Sequence, residues 1–173
     1  PYTEDDSPFG VNHLPSTESQ SALYRKAGVT WARDCSFIWE QLEPREGQLS
    51  FRYPDESVGR TLAQGFNVMA LLPVFPSAKW CSIDTLECFP PKDPELQVGF
   101  MTKSVQRYRD RIQYWEYLNE PLTPYTLPRA EMKIPGADYK PADYVHWLKI
   151  GYETIKKADP HCFVIGGMQA RPM

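Results

Sequence analysis

The chain has 173 residues, 42% hydrophobic and 24% charged, with 19 basic side chains against 22 acidic ones and a formal charge of -3. That length suits one well-buried core, and the absence of a basic surplus to neutralise phosphates argues against nucleic acid as a partner. The longest apolar run, residues 68–75, contains Pro73 and is too short to cross a bilayer, so no membrane is expected either.

The first strand is expected at residues 9–12, closing on Asn12 and His13. Thr17 with Gln20 then makes a capping-box pattern, and Gly28 supplies the helix stop. Residues 29–33 read as a second strand that ends in Arg33. Pro54 and Asp55 open a helix with Val58 and Leu62 on one face, closed by Gly65. The third strand is residues 67–74, NVMALLPV, followed by a proline-rich loop carrying Trp80. Val98, Met101, Val105, Tyr108 and Ile112 step by three and four residues, the stripe of an amphipathic helix. Residues 114–119 form the fourth strand. Pro141 sits near the start of a last helix bearing Val145, Leu148, Tyr152 and Ile155, and Asp159–Pro160 ends it before a fifth strand at residues 162–166.

The order βαβαβαβαβ, with strands that are continuous apolar runs, predicts an α/β fold on a parallel sheet covered on both faces. Two architectures fit, an open doubly wound sheet or part of an eight-stranded barrel. The turn after the first strand has no GxGxxG or GxxxxGK[ST] pattern, so the nucleotide-binding reason for a doubly wound sheet is missing. Aromatic residues at 13% and well-spread prolines argue against disorder. The chain opens on Pro1 with no charged-then-apolar leader, which reads as a processed or chosen start.

Cys35 and Cys162 read as small buried hydrophobes, while Cys81 and Cys88 flank a loop and are left open between bridged and unbridged. His13, His146 and His161 lack metal-ligand spacing, so neither a metal nor a cofactor is expected.

The most specific local feature is the fourth strand, which ends abruptly in Asn119-Glu120-Pro121. Functional groups in α/β barrels gather where strands end, and Pro121 is expected to hold Glu120 extended and so aim its carboxyl. Arg33 ends the second strand, where its rigid fork would hold a carboxylate ionised, or where it would pair with Asp34. Trp80 would stack on a sugar face or pack its loop down.

Arg33, then Trp39-Glu40-Gln41-Leu42-Glu43-Pro44 with Gly47, then Pro76 and Trp80, then Arg107-Tyr108, then residues 115–121, WEYLNEP, come in the order seen in clan A glycoside hydrolases. The chain most resembles glycoside hydrolase family 39 and its relatives, and residues 144–167 look like the fourth helix and fifth strand of that group. The resemblance implies a (β/α)8 TIM barrel of which the first five units are present, residues 1–173 being the N-terminal part of one catalytic domain. It implies a retaining O-glycosidase acting on a carbohydrate. Glu120 would be the general acid/base, Asn119 would bind the 2-hydroxyl of the sugar, and Arg33 would support the nucleophile, with Asn12, His13 and Trp80 as further substrate-binding residues. The acid must give a proton to the leaving oxygen and then take one from water.

Retaining hydrolysis also needs a second carboxyl about 5–5.5 Å away. In the family that nucleophile ends the seventh strand. Glu116 shares strand parity with Glu120 but is expected about 13 Å deeper at the usual strand rise. Glu43 is expected to order its loop. The nucleophile, and the rest of the barrel, are therefore expected from further sequence or a companion chain. The alternative is a non-catalytic carbohydrate-binding or pseudoenzyme partial barrel.

Overall fold

The computed structural model describes residues 7–13, 17–81, 90–91, 93–121 and 141–167. Cys88, the partner in the open bridge question, lies outside them. The strands are β1 (Gly10–Asn12), β2 (Trp31–Asp34), β3 (Asn67–Leu71), β4 (Tyr114–Tyr117) and β5 (Phe163–Gly166). The helices are α1 (Glu18–Lys26), α2 (Trp39–Leu42), α3 (Arg52–Ala63), α4 (Pro94–Tyr108) and α5 (Pro141–Ala158).

All four strand pairings are parallel, and the spatial order is β1-β2-β3-β4-β5. A doubly wound sheet reverses direction from its first strand, whereas here each strand is laid beside the last. The order is therefore not that of a doubly wound sheet. Alternation along the strands separates two faces. Ala32, Asp34, Val68, Ala70, Trp115 and Tyr117 are buried beneath the helices. Gly10, Asn12, Trp31, Arg33, Met69, Tyr114 and Ile165 line a concavity of about 730 Å³ on the other side. The expectation of a sheet covered on both faces is thus corrected: among the described residues only the helix side is.

Local chemistry accounts for the helix boundaries. Thr17 caps α1 by accepting from the Gln20 amide at 3.3 Å, and Gly28 follows with φ 81°. Asp93 caps α4 and Pro94 occupies its first turn, where a missing N–H costs nothing. Met101, Val105, Tyr108 and Ile112 of the stripe are fully buried, packed with Phe37, Trp39 and Trp115. On α5 the stripe differs from its sequence reading. Ile155 is buried, but Val145 is 63% and Tyr152 50% exposed. The face that meets the sheet instead carries Gly151 and Thr154, because Tyr117 of β4 takes the space over the helix.

Candidate active site

Three non-glycine residues have a positive φ among those described: His13 (70°), Leu118 (64°) and Glu120 (40°). All three follow the last residue of a strand, β1 or β4. Such backbone is costly for residues with a Cβ and is held only where the surroundings dictate it. The expected extended conformation of Glu120 is therefore corrected. β4 stops at Tyr117, two residues before the sequence suggested, because Leu118 turns into the left-handed region. The Asn119 amide then donates to the Val74 carbonyl at 3.3 Å, fixing the turn to the loop after β3. From the other side the backbone of Gly167 closes on it, so tightly that a Cβ there would lie 2.2 Å from the Leu118 oxygen.

Arg33 lies at the centre of this strand-end cluster. β2 and β4 flank β3, and Arg33 crosses it to reach Glu116. Nε donates to one carboxylate oxygen at 2.6 Å and Nη2 to the other at 2.8 Å. Nη2 also donates to Oδ1 of Asn119 at 3.0 Å, and Nη1 to Oδ1 of Asn12 at 3.1 Å. The Cys35 sulfur, 4.0 Å from Nη1, faces the last N–H. Glu116 is 1% and Arg33 12% exposed, so the pair forms a largely dry ion pair of the bidentate kind. The hydrogen bonds that Arg33 donates to Glu116 raise it above its ordinary pKa against the opposing effect of burial, and the charge of Glu120 adds to it. Burial pushes the Cys35 thiol up, while Arg33 pulls it down.

Asp34, the sequence candidate for pairing with Arg33, points to the opposite face. It is buried and accepts from the Ser36 amide at 2.7 Å, from the Ser36 hydroxyl, and from Ser57 of α3 at 2.7 Å. Strand alternation makes this division of labour: Asp34 ties β2 to the helix layer, and Arg33 is left for the concave side. Glu43 orders its loop as expected, accepting from Trp39 Nε1 at 2.8 Å and the Gly47 amide at 2.9 Å. Trp80 donates its indole N–H to the Glu43 carbonyl and meets Trp39 edge-on at 5.8 Å, so its loop-packing role is visible. Arg107 and Tyr108 lie on the outer helix layer, both bonded to Asp55. Cys81 donates to the Ala78 carbonyl at 3.2 Å.

The structure therefore gathers Asn12, Glu116 and Asn119 around Arg33, with Glu120 following Asn119 in the same turn. Sequence reasoning weighed Glu116 only as a nucleophile and missed it as the partner of Arg33. Its signal was parity, since Arg33, Tyr114 and Glu116 share the concave face, but its partner depends on register: Arg33 aligns with Met69, and Met69 with Tyr114. Among the described residues no cluster of three or more His, Cys, Asp or Glu is placed to hold a metal, and no helix is long and apolar enough to cross a membrane.

No protein-family model and no curated protein matches the chain. Solved structures do. A family 39 glycoside hydrolase from Bacteroides cellulosilyticus WH2 aligns with a TM-score of 0.62 at 22% identity, over 95% of this chain and 32% of its own. Xylanase XynB from Paenibacillus barcinonensis aligns at 0.62 and 17%, over 94% and 50%. The exo-β-1,4-mannosidase Op5Man5 from Opitutaceae bacterium strain TAV5 aligns at 0.67 and 16%, over 91% and 31%. Over its length the chain shares the fold of the matching part of these structures. The chain spans 31–50% of the length of these three structures.

Proposed function

We propose that the chain is the first five β/α units of a (β/α)8 barrel, and that the protein carrying it is a retaining O-glycoside hydrolase. The observation that carries this reading is the convergence of Arg33, Asn12 and Asn119 on the strained turn bearing Glu120, at the end of a barrel-type sheet where such enzymes act. Glu120 is the general acid/base. It protonates the leaving oxygen as the glycosidic bond breaks, then takes a proton from the water that releases the sugar. Asn119 binds the sugar hydroxyl next to the reacting carbon, where a hydrogen bond that strengthens in the transition state adds to the rate. Asn12 and His13 border the same end, and Trp80 shapes the loop wall.

Glu116 is not the second carboxyl of the reaction. Both its oxygens accept from Arg33, and it is sealed from water. The nucleophile comes from the remainder of the barrel. A non-catalytic sugar-binding barrel is the second reading, favoured by the same commitment of Glu116 to Arg33.

The test uses Glu120→Ala in the protein carrying this chain, assayed on aryl glycosides with added azide. A retaining enzyme that has lost its base yields the glycosyl azide with the substrate's anomeric configuration. Absence of any glycoside cleavage by the unaltered protein supports the second reading.

A further inference from the structure

We propose that Glu116 and Arg33 act together as a positioning clamp that sets the amides of Asn12 and Asn119, so that both present N–H donors to a sugar hydroxyl. A guanidinium has five N–H groups and no acceptor. Here each has an acceptor: two on Glu116, one each on Asn119, Asn12 and Cys35. An asparagine facing that surface must turn its oxygen toward it, because its NH2 would meet N–H groups head-on. Both asparagines do so.

The NH2 of each is thereby turned away from Arg33. Asn12 borders the concavity, and Asn119 directly precedes Glu120. Two fixed amide donors on a charge-neutral base, with no spare guanidinium N–H, match the oxygen of a neutral hydroxyl acting as acceptor. Glu116 acts on both asparagines through the guanidinium, accepting from its Nε and Nη2. Its two bonds stop the planar guanidinium rotating about Cδ–Nε, and rotation would carry Nη1 and Nη2 off the two amides. Glu116 is thus a positioning residue two bonds removed from the ligand. The identity of the acceptor rests on the glycosidase reading above, whereas the amide orientation does not.

The test is the double variant Arg33→Met/Glu116→Leu, which removes both charges together. Replacing a whole buried ion pair with apolar side chains is often neutral for stability. The variant is expected to melt cooperatively near the parent temperature. Its kcat/KM preference for a glycoside over the 2-deoxy analogue is expected to fall about tenfold, the worth of one charge-supported hydrogen bond. A folded double variant that keeps the parent preference overturns the clamp. Neutron diffraction from deuterated crystals of the unaltered protein gives the second arm, independent of catalysis and of variant folding. ND2 groups of Asn12 and Asn119 pointing away from Arg33 support the proposal, and either ND2 facing the guanidinium overturns it. Should the protein cleave no glycoside, the glycosidase reading fails while the neutron arm still decides the clamp.

Discussion

At the scale of single residues, two ion pairs of one chain illustrate how burial decides what a charge contributes. Arg33 and Glu116 are shielded from water, and Arg52 and Glu56, at 3.1 Å on α3, are not. Arg33→Met strands a carboxylate in the interior and is expected to cost about 3–5 kcal/mol. Arg52→Met is expected to change stability by about 0.5 kcal/mol or less. Urea unfolding of the two variants measures the difference, and equal losses would show that the Arg33 pair is solvated. The contrast was half legible in the sequence. Arg33 was recognisable as a strand-end cation, but its partner was not, because Asp34 is its neighbour in sequence and Glu116 is its neighbour only through the register of β2, β3 and β4.

At the scale of elements, the site depends on two close approaches made possible by glycine. Gly151 of α5 lies against Tyr117, where a Cβ would come within 2.5 Å of the ring. The ring cannot retreat, since its hydroxyl donates to buried Gln97 at 2.8 Å. Gly151→Ala is expected to cost about 1–3 kcal/mol, the range for an overpacked core. Gly167→Ala meets backbone instead of side chain and is expected to shift the Asn119–Glu120 turn, lowering activity beyond its effect on stability. Thermal melts paired with kcat/KM distinguish the two, and a Gly167→Ala variant of full activity would contradict this picture of the turn. Between helices, Asp55 accepts from Arg107 at 2.6 Å and from Tyr108 at 2.8 Å. The Arg107 hydrogen bond holds its carboxyl below the usual range. Its folded pKa lies below its unfolded one, so the stability it lends is complete above about pH 4 and lost as pH falls further. The difference in melting temperature between the parent and Asp55→Asn should shrink on that descent; a constant difference would mean the link is not electrostatic. The elements themselves were readable from capping in α1 and from periodicity in α4. Four-residue α2 gave no periodic signal, and the burial of α5 was misread because an apolar stripe marks a possible face without naming what occupies it.

At the scale of the whole molecule, the parallel sheet was legible from the βα alternation, whereas its unreversed strand order was not. Among the described residues β1 and β5 each have a single neighbour. Large exposed apolar side chains occur on the first and last elements of the order, with Phe9 just before β1, Leu23 and Tyr24 on α1, Val145 and Tyr152 on α5 and Phe163 in β5, and with Tyr53 apart. Tyr114 and Phe163 stack at 4.9 Å on the concave side, and Phe163 remains 55% exposed. Open edges with apolar flanks recruit further strands. Residues 1–173 expressed alone are therefore expected to self-associate in sedimentation velocity, and a monodisperse, cooperatively melting monomer would contradict the partial-barrel proposal.

The central claim is that Glu120 gives and takes the proton at a glycosidic oxygen. Glu120→Gln keeps the shape of the side chain and removes the proton, so the decisive measurement is its kcat/KM on aryl glycosides of graded leaving-group acidity. The proposal predicts losses of about 10²–10⁴-fold for poor leaving groups, the usual worth of general acid catalysis, shrinking toward none as the departing phenol becomes more acidic. Equal losses across the series would contradict it and leave Glu120 with no part in protonating the leaving group.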